Sequence, residues 1–280
     1  MNEKLQLGKI NILKIHRQTD NGFYLQSLDE DEVLLPNLYI TDAMELDDTI
    51  EVFVYTDSED RMVATTIKPK ALKGQFAFVE VIDTAPFGSF VDIGLPKDLL
   101  VPKNKQKNPF RVGDKRIIRI IEDEQTNRLI GVEKITQFLD TDTKSLKKND
   151  KVKILIFAST PLGFKVIIND TYEGMIFKNE IFENVFIGDI KDAFIKSIRP
   201  DGKVDISLQP IGKANSDDFA SSKIMELLEK NNGYLPYTSK SNPDVIQNIF
   251  GLSKKNFKKA LQTLLAEGKI ELQESGFKLK

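Results

Sequence analysis

Short runs in which apolar and polar residues alternate fill the chain up to Pro210, and they recur in one order. A glycine-centred phrase marks each recurrence: Asn21-Gly22-Phe23-Tyr24-Leu25, Phe87-Gly88-Ser89-Phe90-Val91 and Leu162-Gly163-Phe164-Lys165-Val166. Their glycines are 66 and 75 residues apart. Each phrase follows an apolar run and precedes a second Val/Ile run that ends in a polar turn, a basic residue and a short strand. Those endings lie at Asp57 to Thr66, Glu122 to Glu133 and Arg199 to Leu208. A period this long, made of strands and turns, predicts three copies of one small β-unit.

In the first copy, Gly8 to Ile15 alternates so as to bury either Ile10 and Ile12 or, after a bulge, Leu13 and Ile15. Gly22 supplies a turn conformation that costs a residue with a side chain more. Val33 to Pro36 is a third strand stopped by proline, Thr49 to Tyr55 a fourth, and Met62 to Thr65 closes the unit. Five short strands in one such span predict a small closed barrel, because closure removes exposed edges. The second copy repeats the order with Phe76 to Ile82, Ser89 to Ile93, Leu99 to Pro102, Lys115 to Ile121 and Leu129 to Val132. The third runs from Lys151 to Leu208, after a Thr-, Asp- and Lys-rich linker at Phe138 to Asn149 with room for one helical turn.

After Pro210 the apolar period becomes helical. Ile224, Leu227 and Leu228, then Val245, Ile246 and Ile249, predict two short amphipathic helices. Ser253 is a candidate N-cap for a third, with Phe257, Leu261, Leu264 and Leu265 on one stripe and Gly268 as its stop. Lys269 to Leu272, a turn at Glu274-Ser275-Gly276 and Phe277 to Leu279 then form a tight hairpin. Three helices and a hairpin are the layout of a winged helix-turn-helix. The fold class expected is therefore mainly β with a small α/β C-terminal domain, divided at 1–68, 70–137, 146–212 and 217–280.

Composition adds two things to this picture. The chain has no cysteine, which excludes disulfides, thiol nucleophiles and thiolate metal sites. No apolar run is long enough to span a bilayer and the start Met1-Asn2-Glu3-Lys4 is polar, so a cytoplasmic protein without membrane contact is expected. Charge then distinguishes the modules. Residues 1–70 hold 7 basic and 14 acidic groups, a net of −7, whereas 71–142 balance at 11 each. Residues 143–216 carry 12 against 9 and 217–280 carry 10 against 8, so a polyanion would favour the later modules.

The phrase Phe87-Gly88-Ser89-Phe90-Val91 with Val112-Gly113-Asp114-Lys115 resembles the S1 RNA-binding domain, an oligonucleotide-binding (OB-fold) barrel. Module three shows further S1-like parts in Glu173-Gly174-Met175-Ile176-Phe177-Lys178-Asn179-Glu180 and Asp201-Gly202-Lys203-Val204-Asp205-Ile206-Ser207-Leu208. Three tandem S1-like five-stranded barrels followed by a winged helix are similar to the bacterial conserved virulence factor B family, over nearly the whole chain. The resemblance implies an RNA face of two aromatics near the second strand, a histidine on the third and a basic residue near the fifth. Phe87 and Phe90 match both aromatic positions; Asn21 and Tyr24, and Leu162 and Lys165, stand there in modules one and three. The histidine position holds Pro36, Pro102 and Phe177, while the basic position holds Arg61, Arg128 and Lys203.

These positions define the candidate RNA-binding set: Phe87, Phe90, Lys103, Lys105 and Arg128 in module two, and Lys165, Phe177, Lys178 and Lys203 in module three. Stacking on exposed rings is indifferent to base identity, and neighbouring cations neutralise phosphates. Phe90 in so small a barrel also fits a core position. On the third helix Lys255, Lys259 and Gln262 face away from the apolar stripe, with Lys258 flanking it; Lys255, Lys258 and Lys259 join the candidate set. Lys254 and Lys255 oppose the helix dipole, where stability alone would favour an acid.

Catalysis finds no support. His16 is the sole histidine and is expected in a loop or at a barrel rim, and there is no phosphate-binding glycine loop or metal-ligand spacing. Acid pairs Asp47-Asp48 and Asp217-Asp218 fit hydrated surface, and no cofactor or metal is expected. The expected function is non-enzymatic binding of single-stranded RNA in post-transcriptional regulation of gene expression. The alternatives are a DNA-binding transcription regulator acting through the winged helix and an adaptor whose acidic first module and winged helix bind proteins.

Overall fold

The computed structural model describes residues 1–280, the side chains of 213–216 excepted. The first module is a closed barrel of β1 (Ile10–Thr19), β2 (Gly22–Gln26), β3 (Glu32–Pro36), β4 (Thr49–Thr56) and β5 (Met62–Thr65), in the order β1-β2-β3-β5-β4. The alternation resolves in favour of Leu13 and Ile15, which are buried, while Ile12 faces out. Asn11 shares the buried face, which the apolar pattern did not anticipate. Its amide donates to the carbonyls of Gln6 and Lys9 at 3.0 and 2.9 Å, and its oxygen accepts from Gln6 N at 2.9 Å. A buried amide so paired carries little penalty.

The second module repeats the strands as β6 (Phe76–Ala85), β7 (Gly88–Val91), β8 (Leu99–Pro102), β9 (Lys115–Glu122) and β10 (Leu129–Val132). Its sheet runs β10-β9-β6-β7-β8, the same cyclic order, but no rungs join β8 to β10. The two strands still touch through side chains: a Cβ on Gly131 would lie 2.8 Å from Val101 Cγ2. Gln106 braces β8 on its β7 side, donating to the Val101 carbonyl at 2.9 Å and to Ser89 Oγ at 3.1 Å. The third module closes again, with β11 (Lys151–Thr160), β12 (Gly163–Ile168), β13 (Tyr172–Phe177), β14 (Ile190–Ile198) and β15 (Val204–Ser207) in the order β11-β12-β13-β15-β14.

One device recurs in all three. The long first strand pairs with both the second and the fourth, and its register slips between Ile15 and Arg17, Val81 and Asp83, and Ile156 and Ala158. The extra residue coils the strand so that one segment serves both halves of a barrel. The recurring glycine has an equally mechanical role. A Cβ on Gly22 would lie 2.1 Å from Leu35 O, and one on Gly163 would lie 1.9 Å from Ile176 O, with both glycines at positive φ. Only hydrogen fits between the second-strand start and the third-strand carbonyl.

Modules one and two share one apolar cluster, in which Phe53, Tyr55 and Val63 join Val79, Ile118 and Ile120. Residues 1–138 accordingly form one compact unit and 139–280 a second. The linker at the boundary contains two single 3-10 turns, Ile135–Phe138 and Thr143–Ser145. In the second unit the C-terminal domain consists of α1 (Lys213–Lys230), β16 (Tyr234–Leu235), α2 (Pro243–Phe250), α3 (Lys254–Ala266), β17 (Ile270–Gln273) and β18 (Gly276–Leu279). Ser253 caps α3 by accepting from Asn256 N at 3.2 Å. Phe250, Phe257 and Phe277 form its aromatic centre, with Phe250 and Phe257 centroids 4.6 Å apart. Helix α1 begins earlier than its apolar stripe suggested, and the two-residue β16 had no period to announce it. Side-chain amides tie this domain to module three: Gln209 donates to Gly251 O at 2.8 Å and Gln247 to Ile181 O at 3.0 Å.

Gly163→Ala should therefore cost about 1–3 kcal/mol, because it forces the backbone apart at a position already at positive φ. Urea unfolding should show a lower midpoint at unchanged slope. An unchanged midpoint would mean that the glycine–carbonyl approach does not constrain the barrel.

Candidate nucleic-acid interface

Burial of Val91, Leu99 and Val101 turns their strand neighbours Phe90, Leu100 and Pro102 to the opposite face of β7 and β8. Those three line a cleft of about 490 Å³. Phe90 is half-buried and lies opposite Leu100 in the strand register. Phe87 stands in the β6–β7 turn, 61% exposed, edge-on to Phe90 with centroids 6.1 Å apart and rings at 89°. Its backbone is fixed by Lys103 N, which donates to Phe87 O at 2.9 Å. The two aromatic positions singled out by the sequence thus meet in one cleft, Phe87 open to solvent and Phe90 partly packed beneath.

Lys105 and Arg128 both line this cleft, from the turn after β8 and the turn before β10. Lys103 is exposed but belongs to a separate hollow with Pro86 and Phe110. The sequence reading missed module one's share: Tyr55 and Thr56 also line the cleft. Burial, ahead of the Tyr39 hydroxyl, pushes the Tyr55 pKa upward, so its phenol is neutral at physiological pH. The acidic β4–β5 turn reaches the cations of module two as well. Asp57 O accepts from Lys97 Nζ at 2.5 Å, and the Asp60 carboxylate pairs with the Arg128 guanidinium.

The corresponding face of module one is occupied by its own side chains. The Arg17 guanidinium lies 3.7 Å over the centre of the Tyr24 ring and is held there by Glu32 at 3.1 and 2.8 Å. That same contact holds the Glu32 carboxyl below its usual range. Arg61 is bound by Asp57 and Glu59. Stacking and phosphate contacts there would have to displace both sets of partners.

Module three is cationic, with its charges partly answered. Lys165 pairs with Glu173 at 2.7 Å and Lys203 with Asp201 at 2.8 Å, both at the surface, where such pairs are worth little. Lys178 is exposed beside Phe177, over whose ring Arg199 sits at 5.4 Å. Arg199 was not among the sequence candidates, because it closes β14 instead of occupying the basic position that precedes β15. On α3, Lys255 and Lys258 are exposed, whereas Lys259 pairs with Asp217 on α1. Asp217 is thus committed to an ion pair. His16 lies within β1 at the bulge, not in a loop, and its Nε2 is 3.8 Å from Glu32.

Among the described residues no helix is long and apolar enough to cross a membrane. Residues 7–67 match the S1 domain family and residues 222–279 the CvfB-like winged helix domain family. The uncharacterized protein YitL of Bacillus subtilis (strain 168) is 31% identical over 98% of this chain and 94% of its own length. Conserved virulence factor B of Staphylococcus epidermidis (strain ATCC 12228) is 26% identical over 97% of this chain and 96% of its own. A crystal structure of a multidomain protein with nucleic acid binding domains from Streptococcus pneumoniae TIGR4 is 26% identical, covers 98% of both chains and superposes with a TM-score of 0.42. With its barrels and winged helix in this order, its two domain matches and its end-to-end similarity to YitL and conserved virulence factor B, this chain is a member of the conserved virulence factor B family.

Proposed function

We propose that this chain is a non-enzymatic cytoplasmic protein that binds single-stranded RNA and regulates gene expression after transcription. The observation that carries this reading is the module-two cleft, where an exposed phenyl ring, a second ring beneath it and two cations share one concave surface. A base can lie on Phe87 only when it is unstacked, which favours single strands over a duplex. Lys105 and Arg128 line the same cleft and would supply its phosphate contacts. The preference for RNA over DNA is supported by the match to the S1 domain. Lys178 in module three and Lys255 and Lys258 in module four offer further phosphate contacts, each weak contact raising the effective concentration of the next.

Fluorescence polarisation with short single-stranded RNA and duplex DNA, at two salt concentrations, tests the reading. Single strands should bind more tightly, and affinity should fall steeply with salt. Replacing Phe87 and Phe90 together by Ala should weaken binding by about 1–3 kcal/mol per stacked base. Equal affinity in a double mutant whose circular dichroism is unchanged would remove stacking from the account. Tight duplex binding by the winged helix would instead support a transcription regulator.

The α3 lysines separate by partner. Lys255→Gln with Lys258→Gln should weaken binding alike across unrelated sequences and flatten the salt slope by about 0.7 per lost phosphate contact. Lys259→Gln should instead lower stability by up to about 1 kcal/mol, since it breaks the partly exposed α1–α3 ion pair. A sequence-dependent loss in the double variant would show that α3 reads bases.

A further inference from the structure

Several carboxylates surround the module-two cleft, and all but one are engaged. Asp92 is bound by Lys70 at 2.6 Å. Asp123 accepts from Thr126 N and Thr126 Oγ1 at 3.1 and 2.8 Å. The Asp57 carboxylate is held by Arg61 and that of Asp60 by Arg128. Asp98 lines the cleft, is half-buried, and has no hydrogen-bond or ion-pair partner among the described residues. The adjacent Lys97 is turned towards module one. Burial, and after it repulsion from Asp92 and Asp83, raises the Asp98 pKa above the usual carboxylate range, as a carboxyl without a counter-charge requires.

Its position relative to the rings gives it a use. Asp98 immediately precedes β8, in phase with Leu100 and Pro102, the β8 residues that line the cleft. Leu100 lies opposite Phe90, so Asp98 is the diagonal neighbour of that ring at about 7–8 Å. We infer that Asp98 makes this cleft a guanine-selective subsite, its carboxylate accepting from the Watson–Crick edge of a base stacked on the phenyl rings. A carboxylate offers acceptors only. Guanine presents two adjacent N–H donors, N1–H and the 2-amino group, to match its two oxygens. Adenine and cytosine place a ring acceptor beside their amino group, and uracil flanks its single N–H with carbonyls; each of these would set lone pairs against the carboxylate. The inference rests on the single-stranded RNA reading above and adds base preference to it.

The test uses the full chain and fluorescence polarisation with four short uridine oligomers, carrying a central guanosine, inosine, adenosine or uridine. Guanosine should bind about tenfold tighter than adenosine or uridine, with inosine, which lacks the 2-amino donor, in between. Asp98→Asn and Asp98→Ala should bring all four within about twofold. They should also leave the all-uridine affinity unchanged or higher, since a negative charge leaves the strand's path. Because Asp98 holds no partner and its charge is disfavoured by burial and by Asp92 and Asp83, both variants should melt no lower than the parent. Equal binding of the four oligomers by the parent, or a guanosine preference that survives in both variants, overturns the inference while single-strand binding stands. No binding to any oligomer overturns the RNA reading and the subsite with it.

Discussion

The apolar contact between the first two barrels governs everything around the cleft. Phe53 and Tyr55 stack at 6.2 Å and enter the same buried cluster as Val79, Ile118 and Ile120. Apolar area removed from water stabilises by about 25 cal/mol per Å², without regard to direction, so the precise placement comes from shape. Once the barrels are fused, Tyr55 and Thr56 close one side of a surface that module two alone would leave open. The same fusion presses the acidic β4–β5 turn against Arg128 and Lys97. A phosphate arriving there would have to exchange one anion for another, while Tyr24 on module one's own face stays covered by Arg17.

Three copies of one strand plan give three different surfaces because the plan specifies only inward residues. Glycine, bulge and alternation recur; what stands outside is free to vary. Tyr24 is capped by a guanidinium, Phe87 is bare, and the matching Leu162 and Lys165 trade stacking for charge. The winged helix joins module three differently, through glutamine side chains donating to carbonyls. Hydrogen bonds of this kind contribute about 1 kcal/mol each and fix orientation more than they bind.

Much of this was legible in the chain. Period-two runs located the strands, since burial on one face leaves a trace in every second residue. Helical stripes, the Ser253 cap and the closing hairpin located the winged helix. Phe87 and Phe90 were singled out because they stand at the two aromatic positions the S1 resemblance implies, and Phe87, beside a turn glycine, is hard to bury. What escaped depends on residues distant in sequence. Asn11 sits inside because loop carbonyls satisfy it, Arg17 covers Tyr24 from a neighbouring strand, and Tyr55 reaches a site in the next barrel. Lys259 read as a free surface charge until Asp217 on α1 was brought beside it. Single-chain periodicity records which face is dry; it does not record which charges meet.

The unpaired seam between β8 and β10 bears on how this site changes over generations. In modules one and three the third strand is laced on both sides, and altering its backbone would unravel a closed ring. In module two that strand is hydrogen-bonded along one side only, to β7, where Gln106 also reaches the Val101 carbonyl and Ser89 Oγ. Asp98, Leu100 and Pro102 therefore ride on a segment whose displacement breaks few rungs. Selection can reshape the pocket there while the two barrels keep their common core, which makes module two the part of the repeat most open to acquiring new ligands.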